Sequence, residues 1–523
     1  MDRRSLFKMI GAFAGASVMY RVMTELGHAG ESGYSGPINL THNPKGTSVL
    51  ILGAGMAGMC AAYELRKAGY QVKILEYNDR PGGRNWSLYG GDTYTELGGA
   101  TQKVQFDEGL YINPGPWRIP HHHYALLDYC KLLKIQLEPF LQINYASYLH
   151  SANAFGGKPQ RFKAVEADFH GYISELLAKA THQGKLADPV TKEDREILLE
   201  ALRGWGALDE HYEYKKGFIS SEHRGYVSDP AGGTTSDPIF SDPLPMRDLL
   251  RSGLWGFLSV GHIFDFQPTI FQPVGGMGVI GKAFGRELGP IIQYNAKVTE
   301  ITQNDQGVTV AYQDTKQGGA VLRESAQWCI CTIPASVLSQ IPLNVGAPLK
   351  NAIDAIPYEA AAKVGLQFKR RFWEQDDAIY GGISFTDLPN GMIGYPNTRY
   401  QDSGPGVLLG AYVFGPEAYQ ITALSPEDRV RKTLEWGSQI HPQYKTEFQH
   451  GVAVGWHRVP WTLGCYGSWT DETRAKHYNN LCAIDGRIVL AGEHVSRLGG
   501  WQEGALLSAL DTVKRLHQRV MAG

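Results

Sequence analysis

The sequence predicts an α/β fold that contains a Rossmann-like domain and at least one further domain. The length of 523 residues exceeds the ~100–200 residues of a typical single domain, so two or three domains are expected. The apolar run Ser48–Leu52 has the composition of a buried strand. A glycine-rich turn, a helical pattern over 59–68 and a second apolar run over 72–75 follow it. This strand–turn–helix–strand order is typical of a parallel sheet.

The glycine-rich turn matches the G-x-G-x-x-G fingerprint of dinucleotide-binding domains. Gly53 permits the tight turn, Gly55 lets the backbone approach a pyrophosphate, and Gly58 lets the helix pack against the strand. Glu76 lies 76 − 58 = 18 residues after the last glycine, where an acid accepts hydrogen bonds from a ribose. The fingerprint alone is a weak signal, but with both strands, the helix and the acid it predicts a dinucleotide site.

Composition excludes several classes of function. Lys and Arg total 50 and Asp and Glu total 52, a net charge of 50 − 52 = −2, so no basic surface indicates a nucleic-acid partner. The six cysteines include no C-x-x-C pair and are too few for a disulfide scaffold. In His121-His122-His123 adjacent side chains diverge and no carboxylate or cysteine flanks the run. We interpret the run as a helix start and predict no metal site.

The N-terminus has the order of a twin-arginine export signal. Arg3 and Arg4 precede an apolar stretch over 9–20, whose 20 − 8 = 12 residues are fewer than the ~20 that span a bilayer. We therefore predict export to the periplasm or the medium without stable membrane insertion. An ordinary basic tail on a cytoplasmic protein is the alternative. The polar stretch that continues to residue 46 is a linker by composition.

Motifs after the fingerprint resemble those of a known superfamily. Residues 78–84 end in Gly82-Gly83-Arg84, which resembles the GGR turn of flavin-dependent amine oxidases. Residues 115–120 resemble the GPMR[IL]P segment of L-amino-acid oxidases, with Trp117 in place of Met. Similar stretches lie at 271–278, 362–368, 461–466 and 488–505.

The resemblance implies non-covalent FAD, bound by a Rossmann-like domain of the glutathione-reductase type. A mixed-sheet substrate domain and a helical domain would complete the α/β fold. The implied boundaries are an export signal and linker at 1–46, a FAD-binding domain from 47–105, 269–352 and 481–523, a substrate domain from 106–160 and 353–480, and a helical domain at 161–268. The implied cofactor-binding residues are Gly53, Ala54, Gly55, Met56, Ala57, Gly58, Glu76, Arg84, Trp117, Arg118, Val298, Gly492, Glu493, Gly500, Trp501, Gln502 and Ala505.

The same resemblance assigns roles to five residues. Arg118 would bind the substrate carboxylate through its planar fork, with Tyr395 as a second donor. Lys363 would hold a water against flavin N5, while Trp501 and Tyr466 would flank the amine. Four of the five have a plainer interpretation: Arg118 as a surface arginine in a turn, Lys363 as an edge-strand lysine that faces solvent, and Trp501 and Tyr466 as aromatic residues of the core.

The implied activity is that of an L-amino-acid oxidase, which would take L-amino acids with large apolar or aromatic side chains and dioxygen. A homodimer or higher homo-oligomer is expected. One departure leaves alternatives open, because Gly464-Cys465-Tyr466 resembles the segment by which monoamine oxidases bind FAD covalently. A small buried role for Cys465 is favoured over that bond. A monoamine oxidase, an amino-acid monooxygenase, a dehydrogenase of the same fold and a non-catalytic exported flavoprotein remain alternatives.

Overall fold

The computed structural model describes residues 32–41, 44–183, 191–234, 236–316 and 318–523. The predicted twin-arginine signal falls on residues outside these ranges, so export stays a prediction. Among the described residues, no helix combines the length and the apolar character needed to cross a membrane.

The described residues form both strands and α-helices. The strands are β1 (Ser48–Leu52), β2 (Gln71–Leu75), β3 (Leu88–Tyr89), β4 (Thr93–Thr95), β5 (Thr101–Lys103), β6 (Tyr111–Ile112), β7 (Ile119–Pro120), β8 (Leu137–Phe140), β9 (Tyr148–His150), β10 (Gln160–Arg161), β11 (Ile270–Pro273), β12 (Ile292–Gln293), β13 (Ala296–Asn304), β14 (Gly307–Asp314), β15 (Val321–Ala326), β16 (Trp328–Cys331), β17 (Ala361–Phe368), β18 (Ile383–Thr386), β19 (Met392–Gly394), β20 (Gly406–Phe414), β21 (Phe448–Gly455) and β22 (Ile488–Leu490). The α-helices are α1 (Met56–Lys67), α2 (Tyr124–Leu132), α3 (Phe162–His182), α4 (Lys192–Trp205), α5 (Phe218–Arg224), α6 (Met246–Ser252), α7 (Gly278–Leu288), α8 (Ala335–Leu338), α9 (Ala347–Ala355), α10 (Phe372–Gln375), α11 (Gly415–Thr422), α12 (Pro426–Gly437), α13 (Tyr444–Glu447), α14 (Asp471–Cys482) and α15 (Gln502–Met521).

A five-stranded parallel sheet of order β12-β2-β1-β16-β22 confirms the predicted α/β class. Its strands come from three separate stretches of the chain, and β1 lies at the centre. The predicted first strand matches β1, while the first helix begins three residues earlier than expected, at Met56. The carboxyl ends of parallel strands meet at one edge of the sheet, which is where α/β proteins bind ligands.

Both faces of this sheet are buried. Val49 and Ile51 of β1 pack into one apolar cluster with α1, α7 and α15, while Leu50 and Leu52 pack into a second cluster with β14 and α9. Successive side chains of a strand point to opposite faces, so a strand that is covered on both sides is apolar throughout. This is why the continuous apolar run predicted a buried strand.

A seven-stranded mixed sheet of order β10-β9-β18-β19-β20-β17-β21 forms a second layer. The β9–β18 pair is parallel and the other pairs are antiparallel. Strand β17 lies between β20 and β21, and all eight of its residues, Lys363 among them, are buried. The alternative of an edge-strand lysine facing solvent is therefore wrong.

The stretch between β10 and β11 consists mainly of α3 to α6 and two 3-10 segments, Leu254–His262 and Phe264–Phe266. The longest helices of this stretch are α3, which has 21 residues, and α4, which has 14 and ends at Trp205. The domain boundaries themselves stay a prediction. What matters for the site is that the last 3-10 turn and β11 lie beside the loop that carries Arg118.

Candidate functional site

A cavity of about 640 Å³ opens at the carboxyl edge of the parallel sheet. The glycine turn, the loop before β7 and the chain between β22 and α15 form much of its wall. Most of the predicted site residues line it, and four, Ala54, Gly58, Lys363 and Tyr395, lie off its wall. The predicted residues on the wall are Gly53, Gly55, Met56, Ala57, Glu76, Arg84, Trp117, Arg118, Val298, Tyr466, Gly492, Glu493, Gly500, Trp501, Gln502 and Ala505.

Glycine is suited to each of the three fingerprint positions for a different structural reason. Gly53 has a φ of +105°, which favours glycine. A Cβ at Gly58 would lie 2.0 Å from the carbonyl oxygen of Gly53, so only glycine lets α1 approach β1. A Cβ at Gly55 would meet nothing within 4 Å, because this residue faces the cavity. The backbone at Gly55 is therefore open to a ligand at the N-terminus of α1.

Glu76 is fixed at the cavity wall by backbone and side-chain donors. The Ala54 N–H donates to Oε2 (2.6 Å), and the Asn78 N–H and Nδ2 donate to Oε1 (2.8 and 2.7 Å). Burial raises the pKa of the Glu76 carboxyl, and these hydrogen bonds oppose that rise without cancelling it. Ala54 thus holds Glu76 through its backbone N–H, although Ala54 itself does not line the cavity.

Arg84 and Glu493 form a partly buried ion pair on the cavity wall. Arg84 Nη1 donates to Glu493 Oε1 (2.6 Å) and to the carbonyl oxygen of Cys465 (2.8 Å). Glu493 also accepts from the Gly467 and Gly500 N–H groups, both at 3.2 Å. Burial raises the pKa of Glu493, but the Arg84 charge outweighs that effect, and the net pKa lies below its ordinary value. The pair ties the turn after β2 to the segment after β22.

The Arg118 guanidinium lies among aromatic rings. Arg118 is only 6% exposed, and its Cζ lies 4.4 Å from the ring centroid of Phe266, 5.6 Å from that of Trp117 and 5.9 Å from that of Trp501. Aromatic faces attract a cation and exclude water, which strengthens its interaction with an anion. The arrangement is suited to a carboxylate, and the interpretation as a surface arginine in a turn is wrong.

Lys363 lies directly behind the cavity wall. Its Nζ donates to the carbonyl oxygens of Gly115 (2.6 Å) and Asn113 (3.1 Å) and is 4.4 Å from the ring centroid of Tyr412. Burial lowers its pKa to about 7, with a smaller opposing effect from Cys465 and a further lowering by Arg118. The ammonium has three N–H donors, of which these carbonyls use two.

Tyr395 requires a correction, because the structure does not bring it to the cavity. Its hydroxyl lies 2.7 Å from Ser384 Oγ and 2.6 Å from His441 Nε2, beside a second cavity of about 70 Å³. It is 1% exposed, so it is a poor donor to the ligand of Arg118. Tyr412, which was not among the predicted site residues, does line the main cavity. It lies opposite Lys363 in the β17–β20 pairing, a signal that requires the strand register.

The cavity has other aromatic walls that the sequence did not single out. Trp456 and Trp461 both line it, with ring centroids 5.8 Å apart. Cys465 also lines it, and burial raises the pKa of its thiol to about 12. A thiol with so high a pKa is a weak nucleophile at neutral pH.

The histidine run begins a helix, as predicted, since α2 starts at Tyr124 with His123 as its N-cap. No carboxylate flanks the run in the sequence, but Asp265 approaches it from a distant part of the chain. His122 Nε2 lies 2.9 Å from Asp265 Oδ1, and one ligand atom each from His122, His123 and Asp265 lie within 4.8 Å of one another. The expectation of no metal stays a prediction.

Comparisons with known proteins agree with this geometry. A putative L-amino-acid oxidase of Bacillus subtilis (strain 168) is 28% identical over 486 residues, which cover 90% of this chain and 95% of the relative. The L-amino-acid oxidase of Bungarus fasciatus is 28% identical over 488 residues, with 91% and 88% covered. Cyclohexylamine oxidase from Brevibacterium oxydans shares the fold at a TM-score of 0.59 and 17% identity, with 91% of this chain and 99% of that chain covered.

A second solved structure, wild-type putrescine oxidase bound to putrescine, aligns with a TM-score of 0.57 and 20% identity over 91% of this chain and 99% of its own. The sequence model of the family described as flavin containing amine oxidoreductase matches residues 56–517, which is most of the chain. The chain therefore belongs to the flavin-containing amine oxidoreductases.

Proposed function

We propose that the protein is a FAD-dependent L-amino-acid oxidase. The reaction would convert an L-amino acid, dioxygen and water into a 2-oxo acid, ammonia and hydrogen peroxide. The observation that carries the proposal is Arg118, a buried guanidinium on the cavity wall that is covered by aromatic rings. A guanidinium at this position suits the carboxylate of an amino acid, a group that a simple amine lacks.

The cavity fits FAD as well as a substrate. The open backbone at Gly55 and the N-terminus of α1 suit a pyrophosphate, and Glu76 and Val298 lie on the wall where the adenosine half would bind. Arg84, Glu493, Gly500 and Gln502 would line the other half. When bound, the flavin would take a hydride from the substrate Cα and pass the two electrons to dioxygen.

The chain itself would orient the substrate. Arg118 would hold the carboxylate, and Trp501 and Tyr466, which both line the cavity, would confine the amine. Burial raises the pKa of the Tyr466 hydroxyl well above its ordinary value, so this wall stays uncharged beside the amine. With its third N–H donor, Lys363 would hold a water between itself and the cavity. Imine hydrolysis would then release the products.

The aromatic walls favour large apolar or aromatic side chains. Trp117, Tyr412, Trp456 and Trp461 present broad apolar faces to the cavity. A non-covalent FAD is proposed because the Cys465 thiol has a pKa of about 12. A monoamine oxidase, a monooxygenase and a dehydrogenase remain the alternatives of the same fold, and each gives a different set of products.

Product analysis with the purified holoprotein tests the proposal. The twenty L-amino acids and benzylamine are each supplied in air, and peroxide, ammonia and oxygen uptake are measured. We expect equal amounts of peroxide and ammonia with L-phenylalanine or L-leucine, and anaerobic bleaching of the flavin by the same compounds. Bleaching by benzylamine but by no amino acid would overturn the proposal. Bleaching without peroxide would indicate a dehydrogenase, and an amide with carbon dioxide a monooxygenase.

A further inference from the structure

Residues 115–123, which include Arg118, the short strand β7 and His122, are called the Arg118 loop here. The 3-10 turn Phe264–Phe266 contacts this loop through all three of its side chains. The ring of Phe264 stacks on His122 at a centroid distance of 4.2 Å and an interplanar angle of 28°. Asp265 Oδ1 lies 2.9 Å from His122 Nε2. The ring of Phe266 covers the Arg118 guanidinium at 4.4 Å. Three consecutive residues therefore hold two points of one loop.

We propose that the Asp265–His122 hydrogen bond is a latch that keeps the Phe266 ring on Arg118 and so fixes the carboxylate-binding arginine. Asp265 and His122 act as positioning residues and do not touch the substrate. The latch rests on the proposed function, because it matters only if Arg118 binds a carboxylate. It makes carboxylate affinity depend on a bond outside the cavity wall.

Burial makes this hydrogen bond effective. Both Asp265 and His122 are 1% exposed, so no water competes for the bond. A polar pair in such surroundings is costly to break, because each group would be left buried without its partner. Phe266 is 2% exposed, so its ring has little freedom to leave the guanidinium once Asp265 is held.

The rest of the loop is held by other contacts, and the latch joins it to the turn. Ile119 of β7 pairs with Phe271 of β11, just beyond the turn. On the other side, the N–H groups of Ala125 and Leu126 in α2 donate to the Glu503 carboxylate (3.0 and 2.8 Å). The Arg118 loop is thus held by a strand pair and a capped helix, and the Asp265–His122 bond joins it to the turn.

A metal ion is the competing explanation of the same cluster, since His122, His123 and Asp265 offer ligand atoms within 4.8 Å of one another. Two observations favour the latch. His122 Nε2 lies at hydrogen-bond distance from Asp265 Oδ1, and the Phe264 ring covers one face of the same imidazole.

Carboxylate affinity tests the latch in the holoenzyme. Asp265→Ala removes the hydrogen bond to His122, and Phe266→Leu removes the ring that covers Arg118. Asp265→Asn keeps an acceptor oxygen and should preserve the latch. Asp242→Ala, which alters an exposed acid of the same part of the chain, is the control. The measurements are kcat and KM with L-phenylalanine and the dissociation constant of benzoate, read from the flavin absorbance.

We expect Asp265→Ala and Phe266→Leu to raise KM and the benzoate dissociation constant about tenfold, with kcat changed by less than about threefold. Asp265→Asn and Asp242→Ala should stay near the wild type. Benzoate binding does not depend on which substrate is oxidised, so it tests the latch even if the proposed activity is wrong. As a check that benzoate binds at Arg118, Arg118→Ala should raise the benzoate dissociation constant.

Two results would overturn the latch. One is an unchanged benzoate constant in Asp265→Ala that retains its full flavin content; if that variant does not fold, the same result in Phe266→Leu decides. The other is loss of wild-type activity on dialysis against a chelator with recovery on addition of zinc, which would assign the cluster to a metal.

Discussion

The Nζ of Lys363 lies 2.6 Å from the carbonyl oxygen of Gly115, three residues before Arg118. A buried lysine on the interior strand β17 is therefore hydrogen-bonded to the loop that carries the proposed carboxylate ligand. In its protonated form Lys363 has three N–H donors, two of which the carbonyls of Gly115 and Asn113 accept, and the proposed role of the third is to hold a water at the cavity. Under the proposed function, Lys363 would link the loop that carries Arg118 to the site of electron transfer.

Replacing Lys363 by Met should slow turnover about 10²-fold, because a positioned proton donor or water contributes on this scale. Met keeps the length and the apolar stem of lysine and removes the donors. Stopped-flow spectroscopy of anaerobic flavin reduction and of reoxidation by dioxygen would show which half-reaction slows. Equal rates for Lys363→Met and the wild type in both half-reactions would contradict the proposed role.

The difference in stability between the wild type and Lys363→Met should depend on pH. Burial lowers the pKa of folded Lys363 to about 7, against an ordinary value of 10.5. Between these values the unfolded chain binds the additional proton, so the wild type should gain free energy of unfolding as the pH rises from 7 to 10. Lys363→Met should lack this gain. Urea unfolding of both proteins at pH 7 and pH 10, at one concentration of free FAD, measures the difference.

Replacing Arg118 should weaken the binding of amino acids and leave the binding of simple amines unchanged. We expect Arg118→Ala to raise KM for L-phenylalanine by about 10- to 100-fold, the loss of a charge-assisted hydrogen bond. Arg118→Lys should recover only part of the lost affinity, because an ammonium keeps the positive charge but lacks the planar fork. Phenethylamine, which is phenylalanine without its carboxylate, is the matched control substrate. A parallel loss with phenethylamine would indicate general damage to the cavity.

The parts of this molecule that the sequence predicts are those whose signals are local. The strand β1, the glycine turn, α1 and Glu76 follow one another within 29 residues of chain (76 − 48 + 1), and each needs only its neighbours to be recognised. The motif around Arg118 is likewise short. For such segments the hydrophobic period and the turn residues are sufficient evidence.

The parts that escaped prediction depend on contacts between distant residues. Asp265 meets His122 across 143 positions, and Tyr412 meets Lys363 only through the register of two strands. Tyr395 belongs to a segment that matches the superfamily, yet its hydroxyl is held by Ser384 and His441 away from the cavity. Strand register and side-chain direction are set by tertiary packing, which a short motif does not encode.

Cys465 should not be bonded to the cofactor. Because the pKa of its thiol is about 12, little thiolate exists at neutral pH, and we expect acid precipitation to release the flavin into the supernatant. Cys465→Ser should bind the same amount of flavin as the wild type. Yellow colour that stays with the wild-type pellet but not with the Cys465→Ser pellet would show a covalent bond.

The glycine turn offers a pair of matched substitutions that separate folding from cofactor binding. In Gly58→Ala the new Cβ would lie 2.0 Å from the carbonyl oxygen of Gly53, so we expect the protein without flavin to lose about 1–3 kcal/mol of stability, the usual cost of overpacking.

In Gly55→Ala the new methyl group would meet no protein atom within 4 Å and would project into the cavity. The protein without flavin should then keep its stability, while FAD binds at least about tenfold more weakly because the pyrophosphate can no longer approach the backbone. Thermal unfolding without flavin and titration with FAD measure the two effects. If Gly55→Ala binds FAD as the wild type does, the pyrophosphate does not lie at this turn, and the assignment of the cavity to FAD fails.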